Sequence, residues 1–93
     1  MCGIFALLNF WKYYHDKVEI YNLFLKGRKR GPENTQLVEV TMGDIKSYLG
    51  FHRLAINGYN DETSNQPFNI DGVYLICNGE IYNYKQLYKI LNI

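Results

Sequence analysis

No apolar run in this chain of 93 residues is longer than five, and that limit governs what it can fold into. The two longest runs, residues 4–8 and 73–77, fall far short of the roughly 20 residues that cross a bilayer, so no membrane span is expected. They are also too short for buried helices. Their aromatic and β-branched content marks them as strands, the first running from Gly3 to Asn9. Turn dipeptides then fix how the other short runs connect. Gly43-Asp44 separates predicted strands over 36–42 and 45–56, and Asp71-Gly72 separates 68–70 from 73–77, which gives two hairpins. Asp-Gly is the stronger hairpin order of the two. The run 73–77 is apolar at consecutive positions, so it is predicted to be covered on both faces.

Two segments carry the helical period instead. From residue 17 to about 29, Val18, Ile20, Tyr21, Leu23, Phe24 and Leu25 recur at three- and four-residue steps. Asp16 precedes them as an N-cap, and Lys26, Arg28, Lys29 and Arg30 gather at the far end to complement the helix dipole. Gly31-Pro32 ends the segment. Tyr84, Leu87, Tyr88 and Leu91 form the stripe of a second amphipathic helix, while residues 57–67 are dense in turn formers and read as an exposed loop. Strands joined by hairpins and flanked by two helices define an α+β chain with helices packed on sheet.

Composition excludes several function classes. Hydrophobic residues at 47% and charged residues at 20% are incompatible with intrinsic disorder, and a formal charge of +1 gives no footprint for nucleic acid. Nine tyrosines could stack bases, but no basic groove accompanies them. The N-terminus shows no secretory leader, so a cytoplasmic chain with Cys2 and Cys77 as reduced thiols is expected. His15, His52, Cys2 and Cys77 lack metal-ligand spacing, so no metal is expected.

Cys2 directly follows the initiator Met, whose removal would make it the N-terminal residue. A free α-amine with a pKa of about 7.7–8.0 beside a thiol of about 8.5 lets one residue carry nucleophile and general base together. By position alone, a cysteine there equally suits a small buried apolar residue. Arg53 read by itself is a surface arginine at a strand end, and Asn78-Gly79 an ordinary turn.

The company these residues keep is more specific. Met-Cys-Gly-Ile-Phe-Ala (1–6), Arg-Gly-Pro-Glu (30–33), Gly-Phe-His-Arg-Leu-Ala-Ile (50–56), Gln-Pro-Phe (66–68) and Cys-Asn-Gly-Glu-Ile-Tyr-Asn-Tyr (77–84) occur in that order over nearly the whole chain. Together they resemble the class II glutamine amidotransferase domain, an N-terminal-nucleophile hydrolase. More narrowly, they look like the glutaminase half of a glutamine-hydrolysing asparagine synthetase. The resemblance implies the N-terminal part of a four-layer αββα sandwich of mainly antiparallel strands, with residues 1–93 a partial glutaminase domain and no synthetase domain.

It also implies roles. Cys2 would attack the side-chain amide of glutamine, with its freed α-amine as base, and ammonia would leave. Arg53 would pair with the substrate α-carboxylate, a task suited to a planar two-donor guanidinium. The Asn78 amide and the Gly79 backbone N–H would donate to the developing oxyanion. Glu80 would receive the α-ammonium, and backbone groups of Leu54, Ile56 and Asn57 would line the pocket. Ala55 stands where the family usually has Ser and Glu33 where it has Asp, and neither position carries a catalytic role. A family aspartate that completes the α-ammonium site would fall beyond Ile93. ATP and Mg would serve only the synthetase domain, so no cofactor is expected in this chain. The expected partners are glutamine and either a separate synthetase chain or a second copy. The alternative reading is a truncated, non-catalytic binding fragment.

Overall fold

The computed structural model describes residues 2–12, 16–55 and 62–93. Its centre is β3 (Ile45–Arg53), which pairs antiparallel with β1 (Gly3–Leu7) on one side and β2 (Asn34–Met42) on the other. Side chains alternate across a strand, so this register sorts them into two faces. Phe5 and Leu7 of β1, Leu37 of β2, and Tyr48, Gly50 and His52 of β3 share one face. Helix α1 (Lys17–Leu25) covers that face with Ile20 and Phe24, which are 0% and 1% exposed. Phe10, from a 3₁₀ turn over Phe10–Lys12, stacks on Tyr48 at 4.7 Å and closes the other end. Burying side chains of this size contributes about 1.5–3 kcal/mol each, so these few residues form the main apolar core.

The opposite face carries Val40, Leu49 and Phe51. A second antiparallel hairpin, β4 (Phe68–Ile70) and β5 (Val73–Leu75), stands across from it over an apolar cavity of about 350 Å³ bordered by Val40, Leu49 and Tyr74. Helix, sheet and second sheet follow one another as the αββα order implies. The chain is α+β, with antiparallel sheets and α1 lying outside the first of them.

Both turn dipeptides make hairpins. Gly43 has φ +60° while Asp44 does not enter positive φ, the pattern of a type II′ turn, which requires Gly first and so explains the order Gly-Asp. Asp71 and Gly72 both have positive φ, as in a type I′ turn. The Asp16 carboxylate caps α1, accepting from Val18 N at 2.9 Å and Glu19 N at 3.4 Å.

Several boundaries differ from the sequence reading. Helix α1 stops at Leu25 rather than near residue 29, because Lys26 and Gly27 bond back three residues and Arg28–Arg30 continue as a separate 3₁₀ turn. The basic cluster therefore lies beyond the last turn of α1 instead of within it. Strand β2 begins two residues early, at Asn34, and β3 ends at Arg53 instead of residue 56. Residue 56 and the start of the loop, residues 57–61, lie outside the described residues, as does His15.

The two-sided cover expected for residues 73–77 is not found. Strand β5 spans only Val73–Leu75, with Val73 69% and Leu75 55% exposed, because among the described residues its sheet has just two strands. Helix α2 (Tyr84–Leu91) carries the predicted stripe, but only Leu87 is half-buried and Tyr88 and Leu91 face water. No helix among the described residues is long and apolar enough to cross a membrane.

One buried phenol makes this core testable. Desolvation, then the Glu39 carboxylate beside it, raise the pKa of Tyr48 above the ordinary 10.0. The folded state therefore holds its proton after the unfolded chain has lost it, so the stabilisation is complete below pH 10 and lost as pH rises through the folded value. Urea unfolding between about pH 9 and 11 should show stability falling with pH, and Tyr48→Phe should remove that component. Identical slopes for the two proteins would contradict the burial of this phenol.

Candidate active site

Cys2 sits just ahead of β1, whose first residue pairs with His52 on β3. That register brings its sulfur to the chain leaving β3. The Leu54 N–H donates to Cys2 Sγ at 3.2 Å, and the thiol faces the Leu54 carbonyl at 3.6 Å. Arg53 is the last residue of β3 and shares the face of Phe51, away from α1. Although only 7% exposed, its guanidinium donates to Asn65 Oδ1 at 2.9 Å. That partner is a neutral amide, so the contact orients the cation without cancelling its charge.

The second half of the site comes from the segment after β5. The Gln66 side chain grips Cys77 twice: its Oε1 accepts from Cys77 N at 2.7 Å and its Nε2 donates to Cys77 O at 3.1 Å. Asn78 Nδ2 then donates to the Cys2 carbonyl at 3.1 Å. A carboxamide nitrogen carries two hydrogens, so this bond uses only one of them. Cys2, Arg53, Leu54, Asn78, Gly79 and Glu80 border one cavity of about 450 Å³, whose wall also includes Phe51, Thr63, Ser64, Gln66, Phe68 and Cys77. It therefore holds a thiol, a guanidinium, a carboxylate and amide donors. The other cavity, under the hairpin, is bordered mainly by aliphatic side chains.

His52 supports the site from behind. It is 1% exposed, its Nε2 lies 2.9 Å from the Phe24 carbonyl and its Nδ1 3.1 Å from Thr35 Oγ1. A carbonyl only accepts, so Nε2 carries a proton, and in the neutral ring Nδ1 accepts from the Thr35 hydroxyl. The strand that delivers Arg53 is thereby tied to the end of α1.

Six of the eight site residues read from the sequence thus meet around one cavity. Ile56 and Asn57 lie outside the described residues. Asn65 was read only as part of a turn-rich loop, and Gln66 as part of that loop and of a motif string, with no role given to either. The signal for Gln66 was its place in the Gln-Pro-Phe string, while Asn65 carried none beyond being a turn former.

A position-2 thiol, a buried arginine and an Asn-Gly-Glu loop thus share one cavity. The model of the glutamine amidotransferase domain family matches residues 1–93, and the chain belongs to that family of enzymes. It is also 42% identical over 94 residues to a protein of Acanthamoeba polyphaga mimivirus named probable asparagine synthetase (glutamine-hydrolysing). The match covers 100% of this chain and 17% of that protein. No solved structure gives a significant match.

The His52 geometry yields a stability test. Thr35→Val keeps the β-branched shape but removes the hydroxyl bonded to Nδ1, leaving a buried acceptor unsatisfied. Urea unfolding should show a loss of about 1–3 kcal/mol. A change within about 0.5 kcal/mol, the range usual for neutral surface substitutions, would contradict this tautomer.

Proposed function

We propose that this chain is a class II glutaminase, in which Cys2 becomes the N-terminal residue on removal of Met1 and hydrolyses the side-chain amide of glutamine. The observation that carries this reading is the gathering of Cys2, Arg53, Asn78, Gly79 and Glu80, far apart in sequence, around one cavity. Arg53 would hold the α-carboxylate through parallel N–H···O bonds, and Glu80 the α-ammonium. Backbone groups of Leu54, Ile56 and Asn57 would frame the same end of the substrate.

The Cys2 thiol passes its proton to the α-amine and its sulfur adds to the amide carbon. The carbonyl oxygen becomes an oxyanion facing the second Asn78 N–H and the Gly79 N–H, donors of a kind whose individual loss costs about 100- to 1,000-fold in rate. Collapse of the adduct breaks the C–N bond as the α-ammonium returns its proton to nitrogen, and ammonia leaves. Water then cleaves the thioester, so glutamine and water give glutamate and ammonia. None of these steps calls for a metal or cofactor. ATP and Mg would act in a synthetase domain, and the mimivirus relative suggests asparagine formation as the use of the ammonia. A cytoplasmic setting agrees with a reduced Cys2.

Intact mass should show loss of Met1, and an electrophilic glutamine analogue should label Cys2 in preference to Cys77, even though Cys77 is the more exposed thiol. Ammonia release from glutamine should vanish in Cys2→Ala and persist in Cys77→Ala. Retained Met1, or release equal to the Cys2→Ala control in a folded chain, would leave the non-catalytic binding reading in its place. The uncovered side chains of Ile70, Val73, Leu75 and Leu91 favour self-association or a partner chain. Sedimentation should show mass rising with concentration, whereas a monomer at every concentration would rule out self-association.

A further inference from the structure

The hydrogen bonds around the cavity close on themselves. Cys2 bonds to Leu54, and the next residue back, Arg53, bonds to Asn65. The residue after Asn65, Gln66, bonds to Cys77, and the residue after Cys77, Asn78, bonds to Cys2. Each covalent step in this ring is a single peptide bond, about 3.8 Å between Cα atoms, so the hydrogen-bonded links stand next to one another around the cavity.

Gln66 has a particular place in the ring. Strands β4 and β5 pair Phe68 with Leu75 and Ile70 with Val73, and extending this register by two residues sets Gln66 opposite Cys77. The backbone ladder ends at Leu75, and the next residue of the first strand is Pro67, which has no N–H to donate. The Gln66 carboxamide places an acceptor oxygen and a donor nitrogen side by side, as a neighbouring strand would, and bonds both backbone groups of Cys77. It thus continues the sheet with a side chain at the position just before Asn78 and Gly79.

We propose that Asn65 and Gln66 are positioning residues that join the two halves of the glutamine site, Asn65 setting the Arg53 guanidinium and Gln66 setting the backbone that presents Asn78 and Gly79. This rests on the glutaminase reading for its kinetic consequence, but not for its geometry. Neither side chain is required to touch glutamine. Because they act on different halves, their losses separate kinetically: Asn65 works on substrate capture and Gln66 on the oxyanion.

The test uses the full chain carrying Asn65→Ala or Gln66→Met, with Gln66→Glu as an isosteric variant that can accept from Cys77 N–H but cannot donate to its carbonyl. Asn65→Ala should raise KM for glutamine roughly fivefold or more with kcat nearly kept. Gln66→Met should lower kcat roughly tenfold or more with KM nearly kept, and Gln66→Glu should fall between Gln66→Met and the parent chain. Independently of activity, amide hydrogen exchange at Cys77, Asn78 and Gly79 should accelerate in Gln66→Met while α1 keeps its protection. Unchanged exchange at Cys77 would overturn the clamp, and so would a parallel fall of kcat and rise of KM in both variants with protection lost throughout. If the parent chain releases no ammonia, the glutaminase reading fails, and the exchange result alone upholds or overturns the clamp.

Discussion

Phe24 on α1, packed over Gly50 and His52 of β3, sets the position of everything else. Its ring lies over Gly50, where an added Cβ would stand 2.5 Å from Phe24 Cε1, so the helix can approach this closely only above a glycine. The ring also stacks on His52 at 4.2 Å, and the Phe24 carbonyl accepts from His52 Nε2. These contacts fix which face of β3 lies under the helix. Strand side chains alternate, so once His52 faces α1, Arg53 must face the other way, into the cavity. A slip of one residue would exchange them and bury the guanidinium under Ile20 and Phe24. Core packing and substrate charge are therefore set by one register.

The two halves of the site are held by different forces. Arg53 ends a strand of the sheet anchored by the apolar core and Cys2 and Leu54 directly adjoin that sheet, whereas Asn78, Gly79 and Glu80 are exposed and lie beyond the last residue of β5. Polar bonds from Gln66 and Asn78 connect that second half to the rest of the site. A neutral hydrogen bond contributes about 0.5–1.5 kcal/mol net, far less than a buried aromatic side chain. Direction is what such bonds add: a carboxamide engaged at both oxygen and nitrogen fixes orientation in a way that apolar contact cannot.

Local chemistry was legible in the sequence, and long-range chemistry was not. Gly43-Asp44 and Asp71-Gly72 announce hairpins because positive φ is a property of the turn residues themselves. Asp16 announces a helix start because its carboxylate needs only the N–H groups two and three residues on. The end of α1 could not be read this way, since the Phe24 carbonyl, where Gly27 bonds back three residues, is also engaged by a histidine 28 positions downstream. Burial of β5 and α2 was misread for a related reason: a stripe or apolar run shows which side could be covered, and says nothing of whether a neighbour covers it. In the site, Cys2, Arg53 and Asn78 stood out through the order of their motifs. Asn65 looked like a turn former and Gln66 like one more letter of the Gln-Pro-Phe string, because their importance lies in partners 12 and 11 residues away.

Resistance to opening follows the same division. The free energy of a local opening tracks how many buried apolar contacts break, and the core of Phe10, Ile20 and Tyr48 lies wholly within the part formed by the first sheet, α1 and the Phe10–Lys12 turn. The hairpin and α2 leave Ile70, Val73, Leu75, Tyr88 and Leu91 largely in water, so separating them from the sheet exposes little that is not exposed already. The boundary between the firm and the loose part runs through the cavity, with Cys2 and Arg53 on one side and Asn78 to Glu80 on the other. Opening across it breaks the Asn78–Cys2 bond while the core stays packed, so the cavity comes apart at a lower free energy than the fold, and its integrity is governed by the polar links that span that boundary.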